Sequence, residues 1–185
     1  MNTTTIIILI VLAAVVLIGV FLYNSLVTKR NRVTEAWSDI DTQLKKRYEL
    51  IPNLVSTVKG SANFETSTLE KIVEARGRAM GAGTTVEHAE AENMITGALK
   101  SIFALSENYP DLKSSQNFLS LQADLSDIEN KIQSARRFYN GAVMEYNTAI
   151  QTVPTNIVAN AFAFKESVFF ELDDEAARKP VEVKF

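Results

Sequence analysis

The chain has 185 residues, 46% of them hydrophobic and 22% charged, with a net charge of −3, one histidine and no cysteine. Disulfide and thiol chemistry are therefore excluded, and a single histidine cannot complete the nitrogen and sulfur ligand set of a usual zinc site. Basic side chains are in excess only over residues 29–59 and the remainder is acidic. That balance argues against nucleic acid, whose phosphates require a basic face several charges deep.

The first predicted element is Ile6 to Val27, IIILIVLAAVVLIGVFLYNSLV, which carries no charge. As a helix rising about 1.5 Å per residue it reaches about 33 Å, enough to cross a bilayer. A cleavable signal would show a basic start, an apolar core of roughly 7–15 residues and a small-residue cleavage site. Here MNTTT is uncharged, and Phe21, Leu22 and Tyr23 stand where small residues belong. A retained transmembrane helix is expected, running from Ile6 through Leu22 to Val27, with the lipid bilayer as its partner. Lys29, Arg30 and Arg32 come directly after the span and nothing basic precedes it. The positive-inside bias then leaves residues 1–5 outside and residues 28–185 in the cytoplasm, a length that suits one domain.

No hinge separates the span from the next helical stretch. Val33, Trp37, Ile40, Leu44, Ile51, Leu54 and Val58 recur at helical spacing, with Arg47 as the polar interruption and Tyr48 beside it able to fill the gap. Pro52 falls inside this pattern, so the Tyr48 carbonyl loses its helical amide and a kink is expected. Gly60 is expected to end the element. Ser67-Thr-Leu-Glu70 reads as a capping box opening a second helix, with Leu69, Ile72, Val73, Ala79 and Met80 inward and the run at 81–83 closing it. Thr84-Thr-Val-Glu87 reads as another capping box, leading into a seam of His88, Ala91, Ile95, Ala98, Ile102, Leu105 and Tyr109 that Pro110 stops.

The fourth stretch holds a strict alternation of three and four: Phe118, Leu121, Leu125, Ile128, Ile132, Ala135, Tyr139, Ala142, Tyr146 and Ala149. Ser114 or Ser115 can cap its start, and Pro154 lies just past its end. Few glycines and prolines and these long phases predict an all-α chain. Its N-terminal transmembrane helix continues into a long antiparallel up-down four-helix bundle with coiled-coil packing over residues 28–153. An intermolecular coiled coil explains the heptads equally well. Residues 154–185 form a Phe-rich, acidic C-terminal segment that an up-down path returns to the membrane. Phe162, Phe164, Phe169, Phe170 and Phe185 there either cover the open end of the bundle or form an interfacial anchor or subunit contact. Asp173, Asp174 and Glu175 weaken the anchor, and Pro180 to Phe185 can form a short extended segment.

Chemical signatures are missing. A di-iron bundle needs Glu-x-x-His on two helices, but Thr85 stands three residues before the lone His88. His88 reads as a packed residue at the start of its seam. No G-x-S-x-G, phosphate loop or G-x-G-x-x-G is present. Asp39 and Asp41 lie on different helix faces, and Lys45, Lys46 and Arg47 read as a solvated basic cluster. Tyr139-Asn140 and Tyr146-Asn147 repeat at seven residues, so both tyrosines share one phase and need hydroxyl partners if buried.

Several strings together resemble the bacterial LemA family: AWSDIDTQLKKRYELIPNLVSTVKG, then ENYPDLKSSQNFLSLQADLSDIENKIQSARRFYNGAVMEYNTAIQTVPTN, then FFEL. The order and distances of these motifs extend the likeness over nearly the whole chain. Ala62-Asn63-Phe64-Glu65 departs from a family string that usually holds a histidine, and the turn at 81–83 also differs. The resemblance implies an antiparallel helical bundle anchored in the bacterial inner membrane, usually with its bulk in the cytoplasm. It also implies relatives associated with magnetosomes and a frequent neighbour, a membrane metalloprotease of the HtpX type. Trp37, Pro52, Asn53, Tyr109, Pro110, Tyr139, Asn140, Tyr146, Asn147 and Pro154 sit on the family's motif positions and are expected to serve fold or contact. The expected function is a non-enzymatic scaffold or adaptor that self-associates and organises membrane proteins, with no cofactor, metal or nucleic acid. The alternative is a membrane-anchored sensory or ligand-binding helical bundle.

Overall fold

The computed structural model describes residues 2–60 and 65–171. Every regular element among the described residues is a helix: α1 Thr3–Lys59, α2 Thr66–Gly81, α3 Thr85–Ser106, α4 Pro110–Lys113, α5 Gln116–Gln151 and α6 Thr155–Ala161. The short α4 and α6 are additions to the four helical stretches expected from periodicity. Phe185, the acidic residues 173–175, the segment 180–185 and the Ala62–Phe64 departure lie outside the described residues.

The chain divides into two compact units. Among the described residues, unit 1 combines those up to Asp41 with residues 134–169, and unit 2 combines those from Thr42 to Gln133 with Phe170 and Glu171. In unit 1, the N-terminal part of α1 is unlike any water-facing helix. Side chains from Ile6 to Phe21 are exposed, Phe21 at 73%, and this stretch is long and apolar enough to cross a membrane. Protein cover begins only in its last turns, where Leu22 and Val27 are half-buried and Leu26 is fully buried. Arg32 meets Glu145 and, further along α1, Trp37 meets Tyr139. Contacts step backward along α5 as they advance along α1, so the two segments run antiparallel in this unit.

The end of α6 closes without glycine. The amide of Phe164 donates to the Ala159 carbonyl at 2.9 Å and that of Ala163 to the Asn160 carbonyl at 3.3 Å. This pattern satisfies two carbonyls at a helix C-terminus and requires a left-handed residue, here Ala163 at φ 53°. A side chain in that conformation costs about 1–2 kcal/mol.

In unit 2, α1 continues through Pro52 to Lys59 without ending. The Tyr48 carbonyl that Pro52 deprives of its amide accepts instead from Arg76 Nε on α2, at 2.8 Å. A charged donor from another helix thus supplies the bond that the chain cannot make locally. The expected capping box of α2 is not formed. The helix begins at Thr66, two residues too early for Ser67 to cap it, and Glu65 occupies the N-cap without a side-chain bond. Val73 and Met80 also point outward, at 52% and 60% exposure. The inward stripe falls on Thr68, Leu69, Ile72, Ala75 and Ala79, on a helix that packs against α3.

The capping box of α3 forms as its spacing predicts. Thr84 accepts from the Glu87 amide at 3.2 Å, and Glu87 accepts from the amides of Gly83 and Thr84. Those two backbone bonds hold the Glu87 carboxyl below the usual range. The seams of α3 and α5 are buried or half-buried at every expected position.

Candidate functional site

The most unusual chemistry in unit 2 is a buried ionic cluster on α1, α3 and α5. Arg47 and Glu92 expose only 2% and 1% of their side chains, and Arg47 Nη1 donates to Glu92 Oε2 at 2.9 Å. The other end of the guanidinium donates to Thr96 Oγ1 at 2.9 Å and lies 3.0 Å from Glu129 Oε2. The Tyr48 hydroxyl donates to Glu92 Oε1 at 2.5 Å. Burial pushes the Glu92 carboxyl above its ordinary range and Glu129 adds to the rise, while Arg47 and Tyr48 oppose it.

This finding corrects the reading of Arg47. Lys45 and Lys46 are exposed, but Arg47 takes the inward position that the heptad phase reserves at that turn. Its charge is accommodated because two carboxylates on other helices lie within reach. Tyr48 joins the cluster beside Arg47. The signal is present in the pattern: Arg47 falls on phase between Leu44 and Ile51, and Glu92 stands after Ala91 next to the α3 seam. A polar residue on phase in one helix demands a partner from another.

Unit 1 holds most of the sequence-predicted contact residues. Trp37 is half-buried and meets the Tyr139 ring at 5.5 Å. Tyr139 is 4% exposed and donates its hydroxyl to the Val168 carbonyl at 2.8 Å. Asn147 donates to the Ser167 carbonyl and accepts from the Ser167 amide, both at 2.9 Å. Such a paired bond treats the tail as a strand would and fixes its direction. Gln151 donates to Glu166 at 2.7 Å. Asn140 is half-buried, and Tyr146 is buried so that its hydroxyl ionises only above the usual range.

The returning segment then meets α1. Phe162 and Phe164 pack against Tyr23 at 4.8 and 5.7 Å, and the Arg30 guanidinium lies 5.3 Å from the centre of the Phe164 ring. Nearby, Lys29 and Arg32 both pair with Glu145, Arg32 at 3.2 Å. The Lys29 contact holds the Glu145 carboxyl below the usual range, with Arg32 adding to the effect. Phe169 is partly exposed in unit 1, and Phe170 is fully buried in unit 2.

The remaining motif positions are dispersed. Pro52 and Asn53 are exposed on α1, the Asn53 carbonyl accepting from Thr57 Oγ1. Tyr109 is half-buried ahead of α4, Pro110 is the first residue of that helix, and Pro154 precedes α6. His88 is half-buried at the start of α3. Among the described residues, no group of three histidine, aspartate or glutamate side chains is arranged to hold a metal ion.

A chain whose described residues form helices and no strand, and whose N-terminal helix fits a membrane anchor, is thus the class defined by these features. The model of the LemA family matches residues 36–185, and the chain belongs to that family. It is similar to Protein LemA of Metamycoplasma hominis, with 29% identity over 174 residues that cover 89% of this chain and 78% of the relative. It is also similar to Magnetosome protein MamQ 2 of Paramagnetospirillum magneticum, at 25% identity over 189 residues, covering 87% and 70%. Magnetosome protein MamQ of Magnetospirillum gryphiswaldense is 24% identical over 174 residues, covering 80% of this chain and 64% of the relative. None of these names is that of an enzyme.

Proposed function

We propose that the protein is a non-enzymatic, membrane-anchored scaffold or adaptor that associates with itself and organises other membrane proteins. The observation that carries this reading is α1, a single helix from Thr3 to Lys59 whose first half suits lipid and whose second half is packed in protein. A flexible tether would serve anchoring alone; an unbroken helix suits a part that must hold its orientation to the membrane. Residues 28–153 would form the antiparallel four-helix bundle with coiled-coil packing, with the C-terminal segment 154–185 after it. Lys29, Arg30 and Arg32 favour a single-pass arrangement in the bacterial inner membrane, with residues 1–5 outside and the bundle in the cytoplasm. The same bias disfavours an external sensory bundle. Partners would be further copies of the chain and membrane proteins such as an HtpX-type protease, as the magnetosome names of two relatives suit an organising role.

Sizing of the full chain in lipid nanodiscs tests the proposal. Particles containing several copies are expected; monomers at every protein concentration would remove self-association from it.

A further inference from the structure

We infer that residues 146–164, an elbow made of the end of α5, α6 and the turn after it, form a second membrane contact that lies in lipid beside the span. The inference rests on the anchor reading of α1 and adds to it. Its first support is where charges stop. Residues 2–28 carry no charged side chain and neither do residues 146–164. Lys29, the first charge after one stretch, pairs with Glu145, the last charge before the other. Two charge-free stretches on adjacent antiparallel helices therefore begin at one level, marked by the Lys29, Arg32 and Glu145 group.

Distances along the helices carry the argument further. From Glu145 to the end of α5 at Gln151 is about 9 Å of helix, directed away from the charges. From Lys29 back to Tyr23 is also about 9 Å. The ring of Phe162 indeed sits on Tyr23, 4.8 Å away. Tyr23 lies inside the predicted span, so the elbow reaches a level where the neighbouring helix is built for lipid. A depth of about 9 Å falls within the roughly 5–10 Å typical of helices lying in the interface.

The surface chemistry agrees. Ala159 on α6 is buried, whereas Val153, Ile157 and Phe162 are 77%, 67% and 62% exposed, and Phe21 on α1 is 73% exposed. Single exposed apolar residues need no explanation, but Phe162 meets the span at Tyr23 and no charged residue falls between Val153 and Phe162, the Glu166 carboxylate reaching the elbow only at Gln151 on the end of α5. The backbone is also prepared for a site poor in water. The amides of Phe162, Ala163 and Phe164 all donate to carbonyls within α6. Closing the turn internally, with Ala163 strained to do so, is what lipid exposure demands. Beyond the elbow Lys165 is the first charge, and Arg30 stacks on Phe164, which gives the mixed aromatic and cationic rim of a bilayer interface.

The absence of native cysteine permits a direct test. Nitroxide labels are placed singly at Ile157→Cys, at Val153→Cys, at Val16→Cys in the span and at Val73→Cys on exposed α2, each in the full chain in lipid vesicles. Collision with lipid-soluble oxygen is compared with collision with a water-soluble nickel complex. Labels at 157 and 153 are expected to favour oxygen several-fold over the label at 73, approaching the behaviour of 16. If 157 and 153 behave like 73 while 16 favours oxygen, the second contact is overturned and the anchor stands. If 16 also favours nickel, the anchor itself fails. Labels at 157 and 153 that are shielded from both reagents would put a second copy of the chain over the elbow and likewise overturn the lipid contact.

Discussion

The two units treat charge in opposite ways. In unit 1 the principal ionic group, Lys29 and Arg32 on Glu145, stays open to solvent, with 28%, 52% and 46% of the side chains exposed. Its buried polar groups are neutral, Tyr139 and Asn147, and they bond to the backbone of the returning tail. In unit 2 a guanidinium and a carboxylate are almost fully enclosed, with a second carboxylate, a phenol and a hydroxyl closing the cluster. Exposed pairs gain little because water screens them, whereas enclosed charges are tolerated only while every partner is in place. Unit 1 should therefore bend to electrostatic change and unit 2 should fail.

The largest effect is expected from Arg47→Ala. Removing one partner strands Glu92 and should cost about 3–5 kcal/mol near neutral pH, read by denaturant unfolding of the full chain in detergent. The pH dependence sharpens this. Glu92 has a raised carboxyl pKa in the folded protein, so its contribution to stability is present below the unfolded value of about 4.3 and is lost as pH rises through the folded value. Without Arg47 the principal opposing influence is gone and the folded value rises further. The gap between the variant and the native chain should therefore narrow as the solution is acidified from neutrality. A gap that stays constant would show that the deficit is lost packing and not a stranded charge.

A smaller effect is expected where Arg76 serves the carbonyl that Pro52 leaves free. Arg76→Ala should cost about 1.5–3 kcal/mol, the range for a hydrogen bond to a charged group. In a Pro52→Ala background the restored amide can bond Tyr48 instead, and the same change should then cost close to nothing. This double-mutant cycle reads the coupling directly. Equal losses in both backgrounds would mean that Arg76 acts through some other contact.

These residues also show where the sequence is legible. The orphaned Tyr48 carbonyl is dictated by Pro52 through covalent geometry, and the seams of α3 and α5 by period alone. The donor that serves Tyr48 is not, because Arg76 approaches from α2 and local spacing is silent about neighbours across the fold. Arg47 misleads for a related reason: beside Lys45 and Lys46 it looks like one more surface cation, and only Glu92 and Glu129 on other helices make its burial tenable. Size alone places Val73 and Met80 inward, although α2 buries Ala75 and Ala79. The elbow escapes such a reading because α6 is too short to carry a period. Its polar amides also obscure the lack of charge.

The smallest effect completes the contrast. Glu145→Gln removes the carboxylate shared by Lys29 and Arg32, and in this exposed setting it should cost about 0–1 kcal/mol. The lowered carboxyl pKa sets the sign. The contribution of Glu145 is present above the unfolded value of about 4.3 and is lost as pH falls through the folded value. The native chain and the variant should therefore converge in acid, and at neutral pH they should also converge as salt is raised. Arg47→Ala should show no such convergence with salt, since the cluster it breaks lies beyond the reach of mobile ions. A large, salt-independent loss at Glu145 would mean that lipid or protein shields this group from water. Unit 1 would then share the vulnerability of unit 2.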